Sequence, residues 1–158
     1  MTRISRHTEE AAAAVAMVLA DLRSASAMPP SEWATAVDEV ESLGRLVDAA
    51  RVAIAAAAAS SGRALPAVAE PLGARSGADA LASCAGISES EARRRIRLAE
   101  ALTPDLSITG AVMSERYPEL AAAMRDGRIG IEAAGVIVRE LDAVRIRADL
   151  DDLAAAED

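Results

Sequence analysis

Residues 31–59 read SEWATAVDEVESLGRLVDAARVAIAAAAA. Within them Ala36, Val40, Leu43, Val47, Ala50, Ile54 and Ala57 recur at alternating steps of four and three. That spacing returns to one side of a helix every two turns, whereas a half-buried strand alternates at every second residue. Asp38, Glu41, Arg45, Asp48 and Arg51 fall off this seam, and Glu41 with Arg45 makes a favourable i,i+4 pair. Met28-Pro29-Pro30 breaks the chain before the segment, Ser31 is placed to cap it, and Ser60-Ser61-Gly62 ends it. One long helix to about Ala59 is expected. Its seam suits the spine of a helical bundle, the reading adopted here, or the contact line of a coiled-coil dimer.

Composition extends the helical reading to the whole chain. Of 158 residues 40 are Ala, and there is no Lys, Asn, Gln or Phe, with one Trp and one Tyr. Ala is the best helix former, and strands favour the β-branched and aromatic residues that are scarce here. The expected fold is all-α: a multi-helix bundle with one long central helix and two helix-turn-helix-like units. The length suits a single helical domain over 1–158, large enough to hold together without a metal or a disulfide. The single Cys, Cys84, cannot form an internal disulfide, and the single His is His7. These counts exclude an internal zinc cluster, an HNH or zincin metal site and a Ser-His-Asp triad with an ordinary His. No glycine-rich phosphate loop is present. No catalytic residue, metal ligand or cofactor is expected.

The net charge of −8 is uneven: −3 over residues 1–60, zero over 61–130 and −5 over 131–158. An acidic chain disfavours non-specific nucleic-acid binding, so only the middle section can present a basic face. Arg3 and Arg6 before the apolar stretch 11–20, with Ala25-Ser26-Ala27 beyond it, resemble a signal peptide. Glu9 and Glu10 at the mouth of the stretch favour an amphipathic first helix instead. No apolar run approaches the roughly 20 residues of a membrane span. A cytoplasmic protein with a free thiol is expected.

Along the chain, residues 1–8 read as a tail. Thr8 caps a first helix over about 9–26, with Ala11, Val15, Val18 and Leu22 on one side. Residues 62–75, with Gly62, Pro66, Pro71 and Gly73, read as a loop packed on the surface. Ser76 and Asp79 open a short helix to about Ala85, and Gly86-Ile87-Ser88 turns the chain. Ser88 and Glu91 form the clearest capping box, and that helix runs to about Leu102, where Thr103-Pro104 stops it. Residues 103–117 read as irregular. Pro118 starts another helix, Gly127 ends it, and a sixth covers about 131–141. The last 17 residues read as helical and acidic without a stop signal, as if cut off inside a larger protein.

The two short-helix, tight-turn, longer-helix units, 77–102 and 118–141, carry the functional candidates. In the first, Ala82, Gly86 and Ile87 fit a helix-turn-helix pattern, and the helix after the turn holds Arg93, Arg94, Arg95 and Arg97. Ala92, Ile96, Ala99 and Leu102 share one face. Arg95 falls within that face and is read as a structural charge that pairs with Asp79 or Glu132. Arg93, Arg94 and Arg97 point elsewhere and are able to meet phosphates or guanine edges. The plainer reading is a solvated face, with Glu89 to Arg93 an i,i+4 pair and Arg97 to Glu100 an i,i+3 pair. Asp149, Asp151 and Asp152 suit a cation less well than an acidic helix face. Trp33 is expected as a core anchor, Cys84 as a small buried hydrophobe, and His7 as a tail residue without a partner.

Two stretches carry a resemblance: Gly86-Ile-Ser-Glu-Ser-Glu-Ala-Arg-Arg-Arg-Ile-Arg-Leu-Ala-Glu-Ala-Leu102, and Arg116-Tyr-Pro-Glu-Leu-Ala-Ala-Ala-Met-Arg-Asp-Gly-Arg-Ile-Gly-Ile-Glu-Ala-Ala134. The end of the long helix, Arg51-Val-Ala-Ile-Ala-Ala-Ala, and Leu102-Thr-Pro104 fit as well. From about residue 35 onward the chain resembles an actinobacterial helical domain of unknown function that precedes HNH endonuclease modules, the thirteen-E-twelve repeat family. The resemblance implies an N-terminal accessory domain of a DNA endonuclease, with the metal-binding His and Asn residues in a C-terminal HNH module. Nothing in this chain matches that module, so no catalytic or metal residue carries over.

Three functions follow as expectations. In the first the domain binds or positions DNA for the nuclease module, with Arg93, Arg94, Arg97, Arg125 and Arg128 meeting phosphates. The second is an oligomerisation or protein-interaction module, motivated by the long seam and the acidic charge. The third is a truncated remnant without activity.

Overall fold

A computed structural model describes residues 2–59, 69–104 and 112–145. They hold six helices: α1 (Arg3–Asp21), α2 (Pro30–Ala59), α3 (Gly77–Ala85), α4 (Glu89–Leu102), α5 (Pro118–Arg125) and α6 (Ile131–Val144). A 3₁₀ segment, Leu22–Ala27, follows α1. There is no strand among the described residues, and the fold is all-α. None of these helices is long and apolar enough to cross a membrane. The chain divides into two compact units, residues 1–40 and 41–158.

In the first unit, α1 begins six residues before the expected Glu9. Thr2, not Thr8, is its cap, and the Thr2 hydroxyl accepts from Ser5 N at 3.1 Å. Thr8 lies inside the helix, where its hydroxyl donates back to the carbonyls of Ile4 and Ser5. Most of the expected tail is therefore the first turns of α1, and the His7 ring lies 3.4 Å from the Glu10 carboxylate. No residue of α1 is buried. The start of α2 is set by Pro30 rather than Ser31: a proline lacks the amide that a first turn leaves unbonded.

The second unit is a helical bundle. Its core joins Val52 and Ala55 of α2, Leu98, Ala99, Ala101 and Leu102 of α4, Tyr117, Leu120, Ala121 and Met124 at α5, and Ile131, Ala134, Val138 and Leu141 of α6. Many of these are alanines, whose small side chains let helix axes approach. A close approach is at Gly77, the first residue of α3. A Cβ there would run into the Ala58 carbonyl oxygen, so only glycine lets α3 meet the end of α2.

The serine caps and the turn glycines of the second unit stand where they are expected. Ser76 and Ser88 cap α3 and α4 through Asp79 N at 3.1 Å and Glu91 N at 3.2 Å. Gly86 takes φ +65° and Gly127 φ +70°, the left-handed conformation that closes a helix and turns the chain. Thr103 is extended before Pro104 and ends α4. The sixth helix runs three residues beyond the expected Leu141. The expected stop at 60–62, much of the loop 62–75, part of 103–117 and the acidic end from 146 lie outside the described residues.

The long seam does not form the spine of the bundle. The side of α2 that meets the core holds Ala49, Val52, Ala55 and Ala56. At about 100° per residue this side lies roughly opposite the seam. Val40, Leu43, Val47 and Ile54 of the seam are 37–62 % exposed. The apolar residues of α2 form two strips, and the strip of smaller side chains is the one that packs.

Candidate functional site

The arginines of α4 divide into two groups. Arg94 and Arg95 converge on one carboxylate. Arg94 donates to Glu91 through Nε at 2.8 Å and Nη2 at 3.2 Å, and Arg95 Nε donates to Glu91 Oε1 at 2.8 Å. Arg94 holds the Glu91 carboxyl below the ordinary carboxylate range, against a smaller opposing effect of burial, with Arg95 adding to it. The Arg94 guanidinium is raised in turn, first by Glu91 and further by the fields of Glu132 and Asp48. Arg95 is only 16 % exposed and is a structural charge, as its place on the apolar face predicts. Its partner is Glu91 rather than Asp79 or Glu132. Asp79 turns to Arg75, accepting from its backbone amide at 2.9 Å and from Nε at 3.4 Å. Glu91 thus does only half of the expected capping box: its amide uses Ser88, and its carboxylate is drawn to two guanidinium groups.

Arg93 and Arg97 form the second group. Both are exposed, and they border a shallow groove of about 270 Å³ with Ala58, Gly77, Ile96 and Glu100. Arg93 is paired with Glu89 at 2.5 Å, one turn back. Arg97 has no acid partner among the described residues, so the expected pair with Glu100 is absent. Arg125 and Arg128 belong to the second helical pair. Arg125 donates to Glu115 at 3.0 Å, and Arg128 lies 3.7 Å from Asp126 with both side chains more than 60 % exposed. Neither borders the groove of Arg93 and Arg97.

Two further ionic features were hidden in the sequence. Arg45 Nε donates to the Gly127 carbonyl at 2.6 Å, and Asp48 Oδ2 accepts from Ile131 N at 3.2 Å. One turn of α2 therefore sets a cation at the end of α5 and an anion at the start of α6, the signs that helix dipoles favour. Arg45 is thus engaged with α5 rather than with Glu41. The other feature is Tyr117, which is 2 % exposed and donates to Asp142 Oδ1 at 2.8 Å. Burial and then the Asp142 carboxylate push its phenol up to about 12. The signal for the Arg45–Asp48 clamp was the pair of glycines at 127 and 130. A Cβ at Gly130 would lie 3.3 Å from the Asp48 carboxylate.

Two further expectations are overturned. Trp33 is 55 % exposed, so it is no core anchor. Cys84 is exposed, because the buried side of α3 is formed by Ala78 and Ala80 instead. Asp149, Asp151 and Asp152 lie outside the described residues, and no group of three metal-ligating side chains occurs among those described.

No curated protein matches the chain, and no solved structure matches it. One family model does, over residues 34–158, and its description is a domain of unknown function (DUF222). The match includes α3–α6, the Arg45–Asp48 clamp and the Glu91 network. The chain belongs to the DUF222 family of domains of unknown function.

Proposed function

We propose that this chain is the helical accessory domain of an HNH-endonuclease-like protein and positions DNA for the nuclease module. The resemblance of Gly86–Leu102 and Arg116–Ala134 supports the link to a nuclease. The observation that supports DNA contact is Arg97: an exposed guanidinium without an acid partner among the described residues, on the second helix of a helix-turn-helix-like pair, beside Arg93. Glu89 holds Arg93 only at the surface, and a surface ion pair is worth about 0–1 kcal/mol, so a phosphate is able to displace it. Arg128 has a similarly exposed partner in Asp126, while Arg125 is itself exposed but pairs with the more sheltered Glu115; these two are the second pair of contacts. Arg94 is tied to Glu91 and contributes through field rather than contact. The acids of the α4 first turn, Glu89 and Glu91, already occupy the helix N-terminus, so the phosphates meet the middle of α4 rather than its start.

Fluorescence anisotropy on a labelled DNA duplex across a salt series tests this reading. Binding is expected to weaken steeply with salt, and Arg93→Ala with Arg97→Ala to lower the logarithmic salt slope by roughly two. Equal binding by the double variant, or no binding at low salt, would refute DNA contact through α4. An HNH module encoded in frame beyond Asp158 would support the link to a nuclease.

A further inference from the structure

The outward side of α2 is a second surface, independent of the arginines. The helix has 30 residues, about 45 Å, yet its only buried residues are Val52, Ala55 and Ala58 near its end. The side that meets the core holds Ala49, Val52, Ala55 and Ala56, and the seam lies roughly opposite. Along that seam Leu43 is 37 %, Val47 42 % and Ile54 62 % exposed. Solvent-facing positions of a helix are normally polar, so an apolar row in heptad register is a surface shaped for another helix.

The residues on the seam also select the partner. In heptad terms Val40, Val47 and Ile54 occupy the a positions, and Ala36, Leu43 and Ala50 the d positions. β-branched side chains at a with Leu at d favour two parallel strands. The flanking positions agree. In a parallel pair of identical helices, each g position faces the e position five residues on in the partner. Glu39 then faces Gly44, and Leu46 faces Arg51, so no acid meets an acid. Arg51 is 51 % exposed and free to lie across such a contact, because Asp48 holds only its tip. We propose that the chain pairs with a second copy of itself through a parallel α2–α2 coiled coil along Leu43, Val47 and Ile54.

Sedimentation velocity of the full chain at tens of micromolar tests the pairing, with Val47→Asp as the central disruption. Wild type is expected as a dimer. The variant should raise the dimer dissociation constant at least tenfold while keeping its helical circular dichroism, since Val47 contributes nothing to the core. Orientation is read separately: Ile54→Cys in a Cys84→Ser background should cross-link under mild oxidation, because a parallel register sets position 54 against itself. A wild-type monomer at hundreds of micromolar, a dimer untouched by Val47→Asp, or a dimer that does not cross-link through position 54 would each overturn the proposal. A monomer would also be the outcome if a segment of the same chain occupied the seam.

Discussion

The Asp48 carboxylate accepts a hydrogen bond from the backbone amide of Ile131 at 3.2 Å, across 83 positions of sequence. It is the cap of α6. Gly130, the residue in the cap position, has no side chain to offer, and α2 supplies the acceptor from outside. Three residues before it, Arg45 meets the Gly127 carbonyl, so one turn of α2 holds both ends of the α5–α6 turn.

Asp48→Ala should cost about 1 kcal/mol, the usual value of an N-cap. Asp48→Asn keeps an acceptor and should recover most of it. Thermal unfolding of the two variants measures the difference. Amide exchange at Ile131 should speed up in the alanine variant alone.

Glycine substitutions should divide by environment. Gly77→Ala drives a methyl into the Ala58 carbonyl and should destabilise the bundle by about 1–3 kcal/mol, because backbone cannot yield as a side-chain tip does. Gly44, inside α2, has nothing within 4 Å of a new Cβ. Gly44→Ala should therefore stabilise by about 0.5–1 kcal/mol through helix propensity. Urea titration of both variants decides this, and a neutral Gly77→Ala would contradict the close approach of α3 to α2.

Glu91 links acid stability to the α4 network. Its folded pKa is lowered, so its contribution is present above the ordinary Glu range and is lost as pH falls through the lowered folded value. Glu91→Gln removes the only carboxylate that Arg95 contacts among the described residues and should cost about 1–3 kcal/mol at neutral pH. It should also flatten the acid limb of the stability profile. Glu89→Gln, at the exposed Arg93 pair, should change stability by about 0–1 kcal/mol. Denaturant unfolding at several pH values separates the two.

Tyr117 sets the alkaline limit. Its folded pKa is raised to about 12, and an unfolded tyrosine ionises near 10. The unfolded chain therefore loses the proton first. The stability due to the neutral phenol is whole below about pH 10 and falls as pH rises toward 12. As the sole tyrosine in a chain without lysine, Tyr117 is readily followed by its phenolate absorbance. An ordinary midpoint near 10 in the folded protein would contradict its burial against Asp142. Tyr117→Phe should remove this alkaline loss of stability and cost about 1 kcal/mol.

Much of the candidate site was legible from short-range spacing. The Glu89–Arg93 pair and the structural role of Arg95 followed from helical periodicity. The Arg95 partner did not, although Glu91 stands one turn before it. A capping box claimed Glu91 first, and the sequence alone does not say whether a carboxylate prefers its own helix end or two guanidinium groups. Arg97 without an acid among the described residues, and the separation of Arg94 from Arg93 and Arg97, depend on rotamers and on the groove between α3, α4 and the end of α2.

The amino-acid sequence by itself determined the helical class and nearly every helix boundary in the second unit. Serine caps, Pro118, Thr103 before Pro104 and the left-handed glycines act through backbone groups within four or five residues, so their effect is written locally. Only the tertiary structure decided which strip of α2 is buried, where Arg45 and Asp48 bind, and that Trp33 and Cys84 face outward. Helical periodicity announces that an apolar side exists but not what will cover it. On a helix with two such strips, the choice falls to residues brought together from across the chain, where the smaller side chains allow the closer packing.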